Sequence, residues 1–402
     1  GVKTSLPGVH GSVPFEDLAF GPPLAESEFA KLAPDDPVTI LYTSGTTGHP
    51  KGALGTNRCA IANLMNMAFV AARETLISGR SPRPAVQNGS IATAPLFHVG
   101  GIASIISAPM SGAKIVLMRR WSRDEGLALA HEERVTSLGG IPTIARQILE
   151  SPQLRGLDLD IRTVPLGGAS VPPDLPRRAL EVFGDSIQLL NGYGLTETTS
   201  AVVANLGVEY EAHLDSVGRP NLTADIRVED ADGRSLGVGE VGELCFRSPQ
   251  VVRGYWNNPE ATEAAFVDGW FHSGDLGSID ADGFVYVVDR LKDVVIRGGE
   301  NVYCAEVEAV LFDHPGIADV AVVGVADQLM GERVCAVVVP CDGVEVRLDE
   351  LRRFAHERLA AYKCPEALSL VTELPRTATG KTAKNELRLS LADPQAAVER
   401  AY

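Results

Sequence analysis

VTILYTSGTTGHPKG, residues 38–52, is the stretch from which the rest of the chain is most easily read. A β-branched and aromatic run from Val38 to Thr43 ends in a loop built almost entirely of glycine and hydroxyl residues. Gly45, Gly48 and Gly52 let backbone approach a ligand closely. Ser44, Thr46 and Thr47 add hydroxyls to a row of free N–H groups, the makings of an anion-binding concavity. Lys51 contributes a point charge. The spacing is not that of a Walker A loop, because Pro50 precedes the lysine and Gly52 follows it. Taken alone, such a cluster is more often an ordinary loop, so its meaning depends on its surroundings.

Downstream, a helix is expected from about Asn57 to Thr75, followed by the polar loop SGRSPRPAVQNGS. From Ser90 the pattern alternates. IATAP, KIVLM, TSLGGI, IRTVPLGGAS and IQLLNGYG read as strands running into loops; VGGIASIISAPM, DEGLALAHEERV, PTIARQILES and PDLPRRALEVFG read as helices. Short apolar runs separated by helical segments signal βαβ units and a largely parallel sheet. The glycine-rich segments fall at strand ends, where open α/β sheets bind ligands. After about Ser216, close-spaced turn signals separate ADIRVED, GELCFRS and GFVYVVD, an antiparallel β region. Beyond Lys292 come VVIRGG, a helix from Cys304 to Phe312, DVAVVGVAD, RVCAVVVP, a helix from Leu348 to Leu359, and a final strand with a basic tail. The fold class is therefore α/β: a large domain of layered βαβ sheets plus a small β region, followed by a small α+β domain. The expected divisions are a linker-like start at 1–37, the large domain at 38–291 and the small domain at 292–402. There is no internal repeat or low-complexity tract.

The chain has 402 residues, enough for two or three filled cores, and its 45% hydrophobic and 22% charged content is ordinary globular usage. Fifty-two acidic against 36 basic side chains leave a net charge of −16, which argues against nucleic-acid binding as the main role. A basic pocket for phosphates remains compatible with that total. Cys59, Cys245, Cys304, Cys335, Cys341 and Cys364 form no CxxC pair and are too sparse for a disulfide framework, so a reducing, cytoplasmic location is expected. The most apolar stretch, Gly100 to Met118, is broken by Pro109, Gly112 and Lys114 and makes a poor membrane span. No signal peptide is read ahead of it. The opening, GVKTSLPGVHGSVPFEDLAF, reads as a linker leading out of a preceding segment, so the chain is expected to be part of a longer protein whose large domain starts earlier.

The loop at residues 42–52 is similar to the signature phosphate loop of the adenylate-forming enzymes, and further segments resemble that family's motifs in order. These are Ala94-Pro95-Leu96-Phe97-His98-Val99-Gly100-Gly101, Gly167-Gly168-Ala169, and Gly192-Tyr193-Gly194-Leu195-Thr196-Glu197-Thr198. Gly242-Glu243-Leu244, Gly254-Tyr255-Trp256 and Trp270-Phe271-His272-Ser273-Gly274-Asp275 follow. Asp289-Arg290-Leu291-Lys292-Asp293, Gly298-Gly299-Glu300-Asn301 and Pro375-Arg376-Thr377-Ala378-Thr379-Gly380-Lys381 close the series. The chain resembles the acyl-CoA synthetase branch, which activates a carboxylic acid with ATP and passes it to coenzyme A.

The resemblance implies a role for each group. Thr43, Ser44, Gly45, Thr46, Thr47, Gly48 and Lys51 would hold phosphate. Glu197 would associate with Mg²⁺, a hard cation that takes oxygen ligands, and Thr196 would bond the α-phosphate. Tyr193 would stack on adenine, Gly168 and Ala169 would line the purine slot, and Asp275 with Arg290 would bind ribose. Lys381 would bridge the carboxylate and the α-phosphate. Lys292 matches the hinge about which the small domain turns between half-reactions, after which Gly298 and Gly299 would face the pantetheine tunnel. His98 aligns with a gate near the acyl carbonyl, or is a buried structural histidine. Cys304 stands where many relatives have proline, and nothing near it in sequence would activate a thiolate.

Around the expected acid pocket, Val99, Gly100, Gly101, Ala169, Thr199 and Ser200 are small or apolar, and no charge is dedicated to an amino group. A medium- or long-chain fatty acid is the first expectation and an aromatic or cyclic acid the second. Alternatives are an enzyme that loads the acyl group onto a carrier-protein thiol, and a catalytically impaired nucleotide-binding fragment. Peripheral membrane contact and a homodimer are left open.

Overall fold

The computed structural model describes residues 31–43, 50–80, 85–377, 380–392 and 399–400. It begins with an antiparallel hairpin, β1 (Pro37–Thr43) and β2 (Lys51–Thr56), whose register sets Thr43 opposite Lys51. Sequence pattern does not reveal β2, since Gly52 and Gly55 carry no strand signal; pairing with β1 makes it. Thr56 then caps α1 (Asn57–Ile77), its side chain accepting a hydrogen bond from the Cys59 amide. This helix buries Asn63, Asn66 and Glu74 along with Cys59 and Val70, and leaves Ile61, Met65, Phe69 and Leu76 exposed. Asn66 Nδ2 donates to Thr223 Oγ1 and Gln250 Oε1, both at 2.8 Å, so Asn66 on the inward polar face is bonded.

The βαβ layer follows as β3 (Gly89–Ile91), α2 (Val99–Ser111), β4 (Lys114–Val116), α3 (Arg123–Glu132), α4 (Pro142–Leu149), β5 (Thr163–Gly167), α5 (Asp174–Phe183) and β6 (Gln188–Leu195). β3 pairs with β4 and β5 with β6, both parallel. The segment expected as the strand TSLGGI contributes only isolated parallel bridges, Ser90 to Ser137, Ser137 to Thr163 and Gly140 to Leu166. It still ties the two halves into one sheet, its consecutive glycines supporting contact without regular strand geometry. The sequence order then reverses: β7 (Ser200–Leu206) runs antiparallel to β6, and after the short α6 (Val208–Ala212), β8 (Arg219–Pro220) pairs with β7. Leu127, Leu138, Ile148, Leu175 and Leu189 fill the space between helices and sheet. Each such side chain stabilises the fold by roughly 1.5–3 kcal/mol.

The expected antiparallel region comprises β9 (Asp225–Glu229), β10 (Gly242–Arg247), α7 (Pro259–Ala265), β11 (Phe266–Val267), β12 (Trp270–Ile279) and β13 (Val285–Arg290). Its strands lie in the order β11-β12-β10-β9, with β13 also on β12. The polar, glycine-containing β12 sets Asp275 directly opposite Arg290 of β13.

A small α+β unit completes the chain: β14 (Val295–Arg297), β15 (Glu300–Val302), α8 (Cys304–Phe312), β16 (Ile317–Asp327), β17 (Gly331–Pro340), α9 (Leu348–His356), β18 (Ala367–Leu370) and α10 (Lys384–Leu391). The valine-rich β16 and β17 are buried on both faces. Val320, Val322, Val334, Ala336 and Val338 pack with α8 and α9, while Ala321, Val323, Cys335 and Val337 pack with Leu387 and Leu391 of α10. Period-two alternation thus directs alternate side chains to two helical layers. Among the described residues, no helix is long and apolar enough to cross a membrane.

Candidate active site

The floor of the site is formed where β5 and β6 end together. Gly167 and Gly168 have φ of +149° and +74°, and a Cβ at Gly168 would lie 3.3 Å from Ile141 Cγ2. Gly168 and Ala169 form an exposed ledge. From β6, the Tyr193 hydroxyl donates to Asp275 Oδ2 at 2.7 Å, and Arg290 Nε lies 3.3 Å from Asp275 Oδ1. Tyr193 also packs against Phe246, ring centroids 5.9 Å apart. Burial pushes the Asp275 carboxyl up, opposed by Arg290, the Tyr193 hydrogen bond and Lys381. Burial and the adjacent carboxylate hold the Tyr193 phenol well above its ordinary value, so it remains a donor.

β6 runs into a single tight turn, Thr196–Thr198, that buries Glu197. Tyr255 donates its hydroxyl to Glu197 Oε1 at 2.7 Å, and the Val252 amide donates to the Glu197 carbonyl at 2.8 Å. Glu197 Oε2 and the Thr196 hydroxyl make no hydrogen bond with another described residue. Just beyond, Thr199 and Ser200 adopt φ of +49° and +80°, strained for residues with a side chain. Gln250 Nε2 braces that bend by donating to the carbonyls of Thr198 and Ala201, both at 2.8 Å. On the other side of Tyr255, Lys51 Nζ sits 5.2 Å from its ring centroid, and Thr43 Oγ1 donates to the Lys51 carbonyl at 3.4 Å. Ser44, Gly45, Thr46, Thr47 and Gly48 lie outside the described residues.

The small unit supplies the opposite wall. The loop carrying Lys381 is closed by Thr377 donating its amide to the Lys381 carbonyl and Gly380 donating to Thr377, each at 2.8 Å. Gly380 has φ of +83°, and a Cβ there would stand 3.2 Å from Ile141 Cδ1. Ile141 therefore backs both the Gly168 ledge and the lysine loop. Burial holds the Lys381 ammonium below the ordinary lysine value; Arg290 pushes the same way and Asp275 opposes both. The ammonium makes no hydrogen bond or ion pair with another described residue. His98 shares this neighbourhood, its pKa lowered by burial and by Lys381. Its Nδ1 accepts from the Gly100 amide at 3.2 Å, which makes it the N-cap of α2. The ring is half-buried, and this bond orients it beside the Lys381 loop.

One expected pair is elsewhere, and Lys292 lies at the edge of the cluster. Gly298 and Gly299 form the β14–β15 turn, where the Gly298 amide donates to the Met330 carbonyl at 2.8 Å, and neither contacts a group of the cluster. Lys292 is exposed on the turn Leu291–Asp293, close enough to Arg290 and Asp275 to feel their charges; there Arg388 of α10 pairs with the buried Asp293 at Oδ1, 2.8 Å, and reaches the Lys292 carbonyl at 3.4 Å. Cys304 donates to the Asp293 carbonyl at 3.0 Å, and burial raises its thiol far from thiolate formation. Sequence reasoning quoted Tyr255 within a motif yet gave it no role; its partner Glu197 is 58 residues away in the chain. Nothing local signals that pairing.

A second titratable group, Glu229, Cys245 and His272, lies in the antiparallel sheet. Arg227 Nε stands 2.5 Å from Glu229 Oε1 and compensates that carboxylate, while burial raises the Cys245 thiol. This arrangement suits a structural network better than a cation site.

Residues 8–256 match the family described as AMP-binding enzyme, and residues 306–381 match the AMP-binding enzyme C-terminal domain. The chain is 38% identical over 356 residues to a feruloyl-CoA synthase from Amycolatopsis sp, covering 88% of this chain and 70% of that protein. It is 35% identical over 369 residues to a long-chain-fatty-acid–CoA ligase of Mycobacterium tuberculosis, covering 90% and 69%. Among solved structures it resembles the o-succinylbenzoate CoA synthetase of Bacillus subtilis in complex with the acyl-adenylate intermediate, with a TM-score of 0.77 and 33% identity, covering 89% and 70%.

Proposed function

The chain belongs to the AMP-binding enzyme family, and on that premise we propose that it is an AMP-forming acid–thiol ligase that makes an acyl-CoA from a carboxylic acid, ATP and coenzyme A. In the first half-reaction a carboxylate oxygen attacks the α-phosphorus and pyrophosphate leaves. In the second, the CoA thiolate attacks the acyl carbon and AMP leaves. The observation that carries the reading is Lys381: a half-buried ammonium that makes no hydrogen bond or ion pair among the described residues, presented by one unit beside Asp275, Arg290 and His98 of the other. A partly desolvated cation that Asp275 only partly offsets suits an anionic ligand.

The remaining roles follow from chemistry. Asp275, already oriented by Tyr193 and Arg290, accepts the ribose hydroxyls, and the open ledge at Gly168 and Ala169 admits the flat purine. Tyr193 supports the base. Lys381 spans carboxylate and α-phosphate, offsetting charge where two anions meet. Thr43, Lys51 and the loop between them cradle the outer phosphates, with the Thr196 hydroxyl at the α-phosphate. Glu197 fits a hard cation: it is a buried carboxylate fixed through Oε1, with Oε2 free of donors among the described residues. Mg²⁺, when bound, supplies neutralisation of phosphate charge.

Residues 292–402 form the moving unit in this reading, and Lys292 is its hinge. Gly298 and Gly299, away from the cluster here, come to the pantetheine path once the unit turns and withdraws Lys381.

For the acid, the small and apolar residues near His98 and after Glu197 support an apolar substrate, with a fatty acid as the first reading. Similarity to a feruloyl-CoA synthase and an o-succinylbenzoate CoA synthetase favours an aromatic acid as the second. Pyrophosphate release across a panel of fatty and aromatic acids, with and without CoA, tests both. Acid-dependent release with acyl-CoA formed only on adding CoA is expected. Acyl transfer only to a carrier-protein thiol would change the acceptor, and ATP binding without release would reduce the chain to a nucleotide-binding unit.

A further inference from the structure

Tyr255 links two parts of the site that the chain holds far apart. Its segment is stitched to β2 through an isolated antiparallel bridge opposite Ala53: the Leu54 amide donates to the Gly254 carbonyl at 2.9 Å, the Arg253 amide to the Leu54 carbonyl at 3.1 Å, and the Trp256 amide to the Gly52 carbonyl at 2.7 Å. The Tyr255 amide donates to Thr262 Oγ1 at 2.9 Å, and its ring packs edge-on against Phe266 at 5.9 Å. The ring is thus held from three sides, with Lys51 Nζ near its face and Glu197 Oε1 accepting its hydroxyl.

We propose that Tyr255 is a positioning residue that turns the Glu197 carboxylate so that Oε2 faces the metal–nucleotide complex, and that it couples this orientation to the strand leaving the glycine-rich loop. The inference rests on the nucleotide reading above. A carboxylate with one oxygen tied by a short hydrogen bond has its other oxygen's direction set, and that preorganisation favours the cation.

The experiment measures Mn²⁺ binding to the full chain with ATP and no acid, by electron paramagnetic resonance, as a double-mutant cycle of Tyr255→Phe and Glu197→Gln. ATP itself holds the cation, so binding stays measurable in every variant. Tyr255→Phe is expected to weaken metal binding about tenfold, the scale of one hydrogen bond to a charged group. In the Glu197→Gln background the same change should add little, because the carboxylate it orients is gone. Equal loss in both backgrounds, or no loss in either, overturns the inference while leaving the nucleotide reading standing. Failure of the unaltered chain to bind the metal with ATP removes the nucleotide reading, and this inference with it.

Discussion

The two walls of the cleft are built in opposite ways. On the sheet side, Asp275 is fixed by Tyr193 from β6 and Arg290 from β13, and Glu197 by Tyr255 and the Val252 amide, so each carboxylate is held from another strand or loop. On the other side Lys381 rides a loop closed by its own backbone bonds, touches the large unit where Gly380 meets Ile141, and leaves its ammonium unpaired among the described residues. One wall is preorganised and the other is presented. This division suits a site whose floor binds one nucleotide through two reactions while its lysine serves only the first.

The largest test of that contrast is Lys381→Ala. Adenylation, followed as acid-dependent pyrophosphate release, should fall on the order of 10²–10³-fold, as for removal of a group that stabilises developing charge. Acyl-CoA formation from supplied acyl-AMP should change far less. Equal loss of both steps would mean that Lys381 belongs to the fixed wall.

Asp275→Asn strikes the other wall. It keeps the shape but removes the charge that Arg290 pairs with and that, in the proposed reading, receives the ribose hydroxyls, so ATP affinity measured calorimetrically should drop roughly 10-fold. Both half-reactions should suffer, unlike with Lys381→Ala.

Gly380→Ala probes how the arm is presented. The added Cβ meets Ile141 at 3.2 Å on a residue at φ +83°, so the loop must shift. Adenylation is expected to fall about tenfold, since small displacements of a catalytic group are costly. The melting temperature should move little, because the loop lies outside the valine-rich core.

The mildest effect is in pH. The Lys381 ammonium is lowered by burial, so adenylation should decline as pH rises through a value below the ordinary lysine value of 10.5. Asp275→Asn removes a charge that raises it, so the falling limb should move to lower pH; Lys381→Arg should abolish the limb. In the window between the lowered value and the ordinary one the unfolded chain binds more protons at this site. Its contribution to stability therefore rises with pH as activity falls, which thermal melts over the same range would show.

Much of the fold was legible locally. Alternating apolar runs and helical segments announced the βαβ layer, and turn pairs such as Asp232-Gly233 and Asp282-Gly283 announced the antiparallel region. β2 and β12 were not legible, because their glycines and polar residues become strands only through partners. α1 also misleads. Its inward face carries Asn63, Asn66 and Glu74, and its outward face carries Ile61, Met65 and Phe69, the reverse of the usual pattern.

The same division holds for the site. Motif order along the chain was enough to nominate Lys381, Glu197, Asp275, Arg290 and Tyr193, because glycine, carboxylate and lysine chemistry is written in residue type and spacing. The Tyr255–Glu197 bond, the shared Ile141 contact and the position of Gly298 and Gly299 away from the cluster were decided only by tertiary structure. Each depends on which distant segments pack together and which face a turn presents. Those are properties of the folded chain as a whole, and no local pattern encodes them.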